Sequence, residues 1–349
     1  MTEVDINASK TYKIYIGDKL LDNVGKMIKS QCGGSKACIV CGDIVENIYS
    51  QKIGEQLTGA GYDTYLFVYP HGEQSKNLEV YGRLINFLAE CNMTRTDVLV
   101  ALGGGVTGDL TGFAAATYLR GIKFVQLPTT LLSMVDSSVG GKTGVDIPSG
   151  KNLVGAFWQP EMVICDYSTL ETLPLENFYD GCAEIVKYAI LRDPEIIDLL
   201  SKPFENVEKI IEKCLVIKRD IVNEDEFETG NRKLLNLGHT VAHAIEKLSN
   251  YEITHGQAVA IGTAVITRAA NESGDCDDSV VNTITEVLSK LSLPTETDYK
   301  IDDIFEVIKT DKKRNGDSIS LIIPKYIGKC EIRKLTLGQA KQYIEKGLY

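Results

Sequence analysis

The chain has four histidines, and three of them, His239, His243 and His255, fall within LNLGHTVAHAIEKLSNYEITHG, residues 235–256. Imidazole nitrogens serve two chemistries above all, metal binding and proton transfer. His239 and His243 stand at i and i+4, so a helix puts them on one face. His255 follows Thr254 and precedes a helical run. A catalytic zinc takes three protein ligands and keeps a fourth position open. The histidines alone could supply three, and a carboxylate is an equally good ligand. Glu184, in GCAEIVKYAIL, interrupts an otherwise apolar helical stretch and is the carboxylate candidate. Plainer readings stand beside these: Glu184 as a surface pair with Lys187 at i+3, and His243 as a satisfied core histidine. Spacing alone does not choose among the four residues.

Two glycine-rich segments offer anion chemistry. In DVLVALGGGVTGDLTGFAAATYL, Gly103, Gly105 and Gly108 satisfy G-x-G-x-x-G between a strand-like run and a helical one, the setting that the dinucleotide fingerprint requires. Bare glycines let backbone approach a pyrophosphate, and a helix N-terminus presents free N–H groups and a positive dipole end. The alternative is a tight strand-to-helix turn. A ribose-binding acid belongs about twenty residues onward, but KFVQLPTT there has neither Asp nor Glu. A candidate acid lies upstream instead: Asp43, just after ACIVCG. The second segment, DSSVGGKTGVDIPSGKN at residues 136–152, sets Lys142 and Lys151 among glycines and serines. Fixed backbone amides with lysines can hold anionic oxygens; the alternative is a flexible loop with two solvated lysines. A loop this long inside a compact domain is uncommon and more often functional.

These residues need elements to hold them. The first half alternates β-rich runs (TYKIYIG, ACIVCG, TYLFVYP, DVLVALGGG, KFVQLPT) with helical patterns such as VENIYSQKIGEQLTGAG and NLEVYGRLINFLAECNM. This alternation predicts βαβ units and a mostly parallel sheet, which binds ligands beyond the carboxyl ends of its strands. From about Leu175 amphipathic helical runs take over, among them LENFYDGCAEIVKYAIL, NVEKIIEKCLVIKRDIVNEDE and GQAVAIGTAVITRAANES. Only SISLIIPKYIG and KCEIRKL near the end look extended. The expected organisation is an α/β nucleotide-binding domain over residues 1–170 and a mainly α-helical domain over 171–349.

Lys plus Arg is 37 and Asp plus Glu is 48, a net charge of −11. That charge disfavours nucleic acid and anionic membranes as partners. No run of eighteen apolar residues is present, and the opening MTEVDINASK has no apolar h-region. Neither a membrane span nor a signal peptide is expected, and a cytoplasmic location is. The nine scattered cysteines then read as reduced thiols. Cys38 and Cys41 form a C-x-x-C inside a strand-like run and read as buried structural thiols.

The motifs together resemble the 3-dehydroquinate synthase family of sugar-phosphate cyclases, in the shikimate pathway. The matching stretches are HGEQSK, LGGGVTGDLTGFAAATYLRG, LPTTLLSMVDSSVGGKTGVDIPSGKNLVGAFWQP, AEIVKY, NEDEFETGNRKLLNLGHTVAHAIE and HGQAVAIG, within residues 71–262, with TYKIYIGDKLL and DKKRNG fitting at the flanks. The resemblance implies conversion of 3-deoxy-D-arabino-heptulosonate 7-phosphate (DAHP) into 3-dehydroquinate and phosphate. It also implies NAD+, a divalent metal (zinc, or cobalt) and a homodimer. It places the metal on Glu184, His239 and His255, with His243 near substrate. NAD+ would lie against Asp43, Glu73, Lys76, Gly104, Gly105, Val106, Asp109, Thr129, Thr130, Thr169 and Thr172, with Lys142 and Lys151 also in reach. Substrate would meet Asp136, Lys142, Lys151, Asn152, Lys187, Lys218, Arg232 and Asn236. Its phosphate end would also meet Lys312 or Lys313, and Arg120 from the neighbouring subunit. Two departures from the family pattern are Gln257, where an acid is common, and the apolar Ile44 and Val45 after the ribose acid.

Three rivals follow. Another cyclase, of valiolone or inosose type, would share NAD+, metal and fold; KNLVGAFWQP with Arg232 and Asn236 favours the dehydroquinate branch. A metal-dependent polyol dehydrogenase would consume NAD+ and has no use for Lys142, Lys151 and Lys187. A non-catalytic NAD-binding protein has no use for the three candidate ligands.

Overall fold

The computed structural model describes residues 1–312 and 318–348. Neither the Lys312 side chain nor Lys313 is among the described residues. The chain divides into two compact units, Met1–Leu173 and Pro174–Tyr349. Among the described residues, no helix is long and apolar enough to cross a membrane.

The first unit is α/β. Its strands are β1 (Thr2–Asn7), β2 (Thr11–Gly17), β3 (Lys36–Gly42), β4 (Asp63–Tyr69), β5 (Val98–Gly103), β6 (Lys123–Pro128), β7 (Lys142–Ile147), β8 (Gly150–Phe157) and β9 (Met162–Asp166). Seven of them form one sheet in the order β1-β2-β9-β6-β5-β3-β4. Every pairing is parallel except β1 with β2. Helices cover both faces, so the inner strands read as continuous apolar runs. Alternate residues feed two separate cores: Ile39, Cys41, Val98 and Val100 on one face, Cys38, Val40, Leu99 and Phe124 on the other. The period of two therefore sends Cys38 and Cys41 to opposite faces. Both are free thiols, and burial pushes Cys41 up to about 12.

Residues 136–152 are not a loop. They span the end of a π-helical turn, Ser133–Ser137, and most of the antiparallel β7–β8 hairpin. Local sequence suggests a loop because glycines dominate, but those glycines allow close strand pairing. A Cβ on Gly144 would lie 2.8 Å from the Val154 carbonyl oxygen. The strands β1 and β9 are also absent from the sequence reading; both are short, and β1 sits in the opening segment, read only for its lack of an apolar h-region.

The second unit is mainly helical, as expected. Helices span Leu175–Leu191, Glu195–Leu199, Val207–Glu224, His239–Leu248, His255–Glu272, Asp278–Lys290, Ile301–Lys312 and Leu337–Glu345. A hairpin of β10 (Ser318–Tyr326) and β11 (Lys329–Thr336) completes it. Asp275 secures this hairpin. Its carboxylate accepts from Arg333 Nη1 at 2.8 Å and Nη2 at 2.7 Å, from Lys325 at 3.0 Å and from the Tyr343 hydroxyl at 2.9 Å. The Arg333 hydrogen bonds hold the Asp275 carboxyl far below its ordinary range, against the pull of burial. A depressed folded-state pKa gives stability that is present above the unfolded value, near 3.9, and lost as pH falls. Asp275→Asn should therefore destabilise the chain at neutral pH by about 1.5–3 kcal/mol. Urea melts at pH 7 and pH 3.5 check this: the difference between wild type and variant should shrink at the lower pH.

A candidate metal centre and a candidate nucleotide site

The metal candidates lie in the second unit, on three helices. Glu184 sits in the middle of Leu175–Leu191 with no exposure to water. His239 opens the second helix and His255 the third. Two glycines let these helices meet. A Cβ on Gly262 would lie 2.2 Å from the Gly238 carbonyl oxygen, and one on Gly256 would lie 2.0 Å from that of Asp180. Either clash would push a histidine away from Glu184. The start of the His255 helix is fixed by a capping box of Thr254 and Gln257, which gives the departure at Gln257 a structural role. Asp180, one turn before Glu184, accepts from Thr254 Oγ1 and from the Gln257 N–H at 3.2 Å. One helix thus supplies a candidate ligand and anchors the helix bearing another.

Glu184 Oε1 lies 3.2 Å from His239 Nε2 and 3.1 Å from His255 Nε2, and the three ligand atoms are all within 4.8 Å of one another. Ligands about 2.1 Å from a tetrahedral zinc are about 3.4 Å apart, so the donor set fits such an ion. The other ring nitrogens are engaged. His239 Nδ1 is 3.0 Å from the Leu237 carbonyl oxygen, to which it donates, which leaves Nε2 as the candidate ligand atom. His255 Nδ1 faces the buried carboxylate of Glu246 at 3.5 Å. Glu184 Oε2 meets Lys187 Nζ at 2.5 Å. The i+3 pair therefore exists, but it is fully buried and not on the surface as its plain reading had it. Burial opposes ionisation of Glu184, but Lys187 and the histidines outweigh it and hold the carboxyl well below its usual range. Burial likewise opposes charge on His255, yet Glu184 and Glu246 push it up to about 10.

His243 joins the cluster without joining the candidate ligand set. Its ring centroid is 5.5 Å from that of His239 and 6.4 Å from that of His255. It is exposed, not a core histidine. Lys187, Lys218 and Arg232 are buried cations of the same unit. Arg232 and Asn236 sit on a turn, Asn231–Asn236, ordered by Asp225 and Glu228. Asp225 accepts from the N–H groups of Thr229, Gly230 and Arg232 at 2.9, 2.7 and 3.0 Å. Burial disfavours its charge, but these N–H groups bring it down to about 2. Asn236 Nδ2 donates to Glu228 Oε1 at 2.5 Å.

The nucleotide candidates lie in the first unit, along the carboxyl edge of its sheet. Asp43 follows β3, Glu73 and Lys76 follow β4, and Gly104, Gly105, Val106 and Asp109 follow β5. Thr129 and Thr130 follow β6, and Thr169 and Thr172 lie in the turn after β9. The helix Gly105–Thr117 has no side-chain cap at Gly104, so its first N–H groups are open to an anion. A Cβ on Gly103 would lie 2.3 Å from Thr107 Oγ1, and one on Gly108 would lie 2.5 Å from Gln126 Oε1. Lys76 is buried against Asp109 at 2.6 Å. Burial disfavours its charge, but Asp109 and Glu73 outweigh that and push it up to about 12. Thr172 Oγ1 meets the Tyr49 hydroxyl at 2.6 Å.

Lys142 starts β7, Lys151 and Asn152 lie in β8, and Asp136 lies in the π-helical turn before them. Lys151 faces Glu73 at 3.4 Å. Asp146 Oδ1 accepts from the Asn152 N–H at 2.7 Å, fixing that residue at a φ of 54°. Arg120 does not join this edge. It is exposed at the far end of Gly105–Thr117, a helix about 20 Å long.

Sequence reasoning missed Glu246, Asp225, Glu228, Asp146 and His71. One signal was available for Glu246: it stands seven residues after His239, on the same helical stripe. The others act through loops or between strands, where spacing carries no face information.

A family description, 3-dehydroquinate synthase N-terminal, matches residues 66–180, and its C-terminal counterpart matches residues 181–314. A curated 3-dehydroquinate synthase from Streptococcus thermophilus is 40% identical, covering 99% of this chain and 100% of that one. Two solved structures share the fold. One is 2-epi-5-epi-valiolone synthase from Streptomyces hygroscopicus with NAD+ and Zn2+ bound (TM-score 0.89, 24% identity, 99% of this chain and 98% of that chain). The other is 2-deoxy-scyllo-inosose synthase complexed with carbaglucose-6-phosphate, NAD+ and Co2+ (TM-score 0.87, 24% identity, 99% and 100% covered).

The Glu246 contact generates a test. A carboxylate behind a metal-bound imidazole typically changes metal affinity by about 10–100-fold. Glu246→Gln should weaken Zn2+ binding by that factor in a chelator competition, with the far-ultraviolet circular dichroism unchanged.

Proposed function

The chain belongs to the 3-dehydroquinate synthase family, and from that premise we infer that it converts DAHP into 3-dehydroquinate and phosphate. The observation that carries this is 40% identity to a curated enzyme of that activity, with nearly complete coverage of both chains. The reaction places the chain in the shikimate pathway, and so in chorismate and aromatic amino acid biosynthesis. It runs through oxidation of one carbinol, loss of phosphate, reduction of the new ketone, ring opening and internal aldol closure. NAD+, when bound, takes up and returns the hydride. A divalent metal, zinc or cobalt, supplies Lewis acidity to the carbinol when bound.

The chain's own residues supply binding, orientation and proton control. Residues 1–170 act as the NAD-binding domain and residues 171–349 as the metal- and substrate-binding domain. Glu184, His239 and His255 hold the metal. Lys187 keeps Glu184 ionised and occupies Oε2, directing Oε1 to the ion. His243 acts on substrate as a hydrogen-bond partner or proton shuttle. Asp136, Lys142, Lys151, Asn152, Lys218, Arg232 and Asn236 bind a small acid carrying a carboxylate and a phosphate, gathering cations that the acidic chain lacks on average. Arg120 points to a homodimer, because its place away from the carboxyl edge suits service to a neighbouring subunit. The free, mostly buried cysteines suit a reducing cytoplasm. Nothing in the charge or the helices favours nucleic acid or membrane as partner.

Purified protein with DAHP, a divalent metal and a trace of NAD+ should release phosphate over many turnovers without matching NADH. Stoichiometric NADH would favour a polyol dehydrogenase. Failure to turn over DAHP beside turnover of another sugar phosphate would favour a different cyclase. Lys151→Ala should lower kcat/KM by about ten- to a hundred-fold, the scale of one charge-assisted contact. An unchanged value would make Lys151 a solvated lysine.

A further inference from the structure

His71 is the one histidine outside the metal cluster, and its place is set by the sheet register. β3 and β4 pair in parallel with Gly42 opposite Tyr69, so the residues just past each strand end lie side by side. His71 lies across Gly42: a Cβ there would be 3.6 Å from His71 Cα and 3.7 Å from His71 Cβ. From that position it reaches the next residue, Asp43. The His71 backbone N–H donates to Asp43 Oδ1 at 3.0 Å, and its ring Nδ1–H donates to the same oxygen at 2.8 Å. The Ile44 N–H is a third donor to Oδ1, at 2.8 Å. Oδ2 has no partner among the described residues, and the Asp43 side chain is 46% exposed. The carboxyl is held below its usual range, chiefly by the His71 ring.

We propose that His71 is a positioning residue for the cofactor: it clamps one oxygen of Asp43 so that the other is aimed to accept from the adenine-ribose hydroxyls. This rests on the reading of Asp43 as the ribose-binding acid, for which its place is suited. Asp43 stands at the carboxyl end of β3, the strand beside β5, which leads into the glycine fingerprint, where dinucleotide folds carry that acid. The apolar Ile44 and Val45 offer it no side-chain hydrogen bond, so orientation falls to the N–H groups and to His71. A side chain already ordered before binding spares the cofactor the entropy cost of ordering it. Asp43 is anionic at neutral pH like any exposed carboxyl, and an acid held at the ribose disfavours a 2′-phosphate and so favours NAD+ over NADP+.

The test measures NAD+ dissociation constants by calorimetry on the metal-loaded full chain. His71→Ala should raise the constant about three- to ten-fold, the scale of ordering one side chain. His71→Asn, whose amide can donate from nearly the same place, should restore most of the affinity. Asp43→Asn should lose at least as much as His71→Ala. The KM for DAHP and the metal content of both His71 variants should stay at wild-type values, which a general structural fault would not allow. Unchanged affinity in His71→Ala beside a loss in Asp43→Asn overturns the clamp and leaves Asp43 as the ribose acid. Unchanged affinity in both overturns the clamp together with that reading. A loss in His71→Ala that His71→Asn does not restore also overturns it.

Discussion

A carboxylate cut off from water governs the helical unit. Glu184 is ionised and wholly buried, an arrangement that costs several kcal/mol unless partners compensate it. Lys187 takes one oxygen, and His239 and His255 share the other. Each partner arrives by a different device. Lys187 comes from the next turn of the same helix. His239 follows Gly238, whose φ of 77° turns the chain into the helix. His255 is the first residue of a helix whose start is tied to Asp180. The same charge that demands partners therefore also specifies where three helices must meet, and the glycines at 256 and 262 permit that meeting.

The α/β unit meets a different constraint. A parallel sheet with helices on both faces leaves ligand-binding backbone only at its strand ends. Here five strand ends supply the candidate cofactor residues. The Lys76–Asp109 pair, with its lysine buried, joins the turn after β4 to the helix after β5. The Asp146 N–H donates to the Lys76 carbonyl oxygen at 2.7 Å, joining the β7–β8 hairpin to the same turn. One buried lysine thus connects the helix Gly105–Thr117 with the hairpin that carries Lys142 and Lys151.

Much of this was legible in sequence where local chemistry decides structure. The run LENFYDGCAEIVKYAIL is the helix Leu175–Leu191 residue for residue, and TYKIYIG is β2, because apolar periodicity and flanking Gly or Pro agree at those sites. The glycine fingerprint marked a real strand-to-helix turn for the same reason. The β7–β8 hairpin was illegible because its stability comes from cross-strand bonds and from packing against Gly105–Thr117, as the 2.4 Å approach of a Gly112 Cβ to Thr143 shows. The turn Asn231–Asn236 is separate from the helix that begins at His239, with the left-handed Gly238 between them. Spacing proposed four candidate ligands and could not rank them. The separation of His243 from the other three depends on where two further helices cross, which no periodicity encodes. The Asp43–His71 contact spans 28 residues and follows only from strand register.

The central claim is that Glu184, His239 and His255 form one metal site from which His243 stands apart. Elemental analysis of purified His239→Ala and His243→Ala, each beside wild type, tests it most directly. A three-ligand site predicts about one metal ion per chain in wild type and in His243→Ala, and close to none in His239→Ala. Metal retained in His239→Ala and lost from His243→Ala would contradict the account.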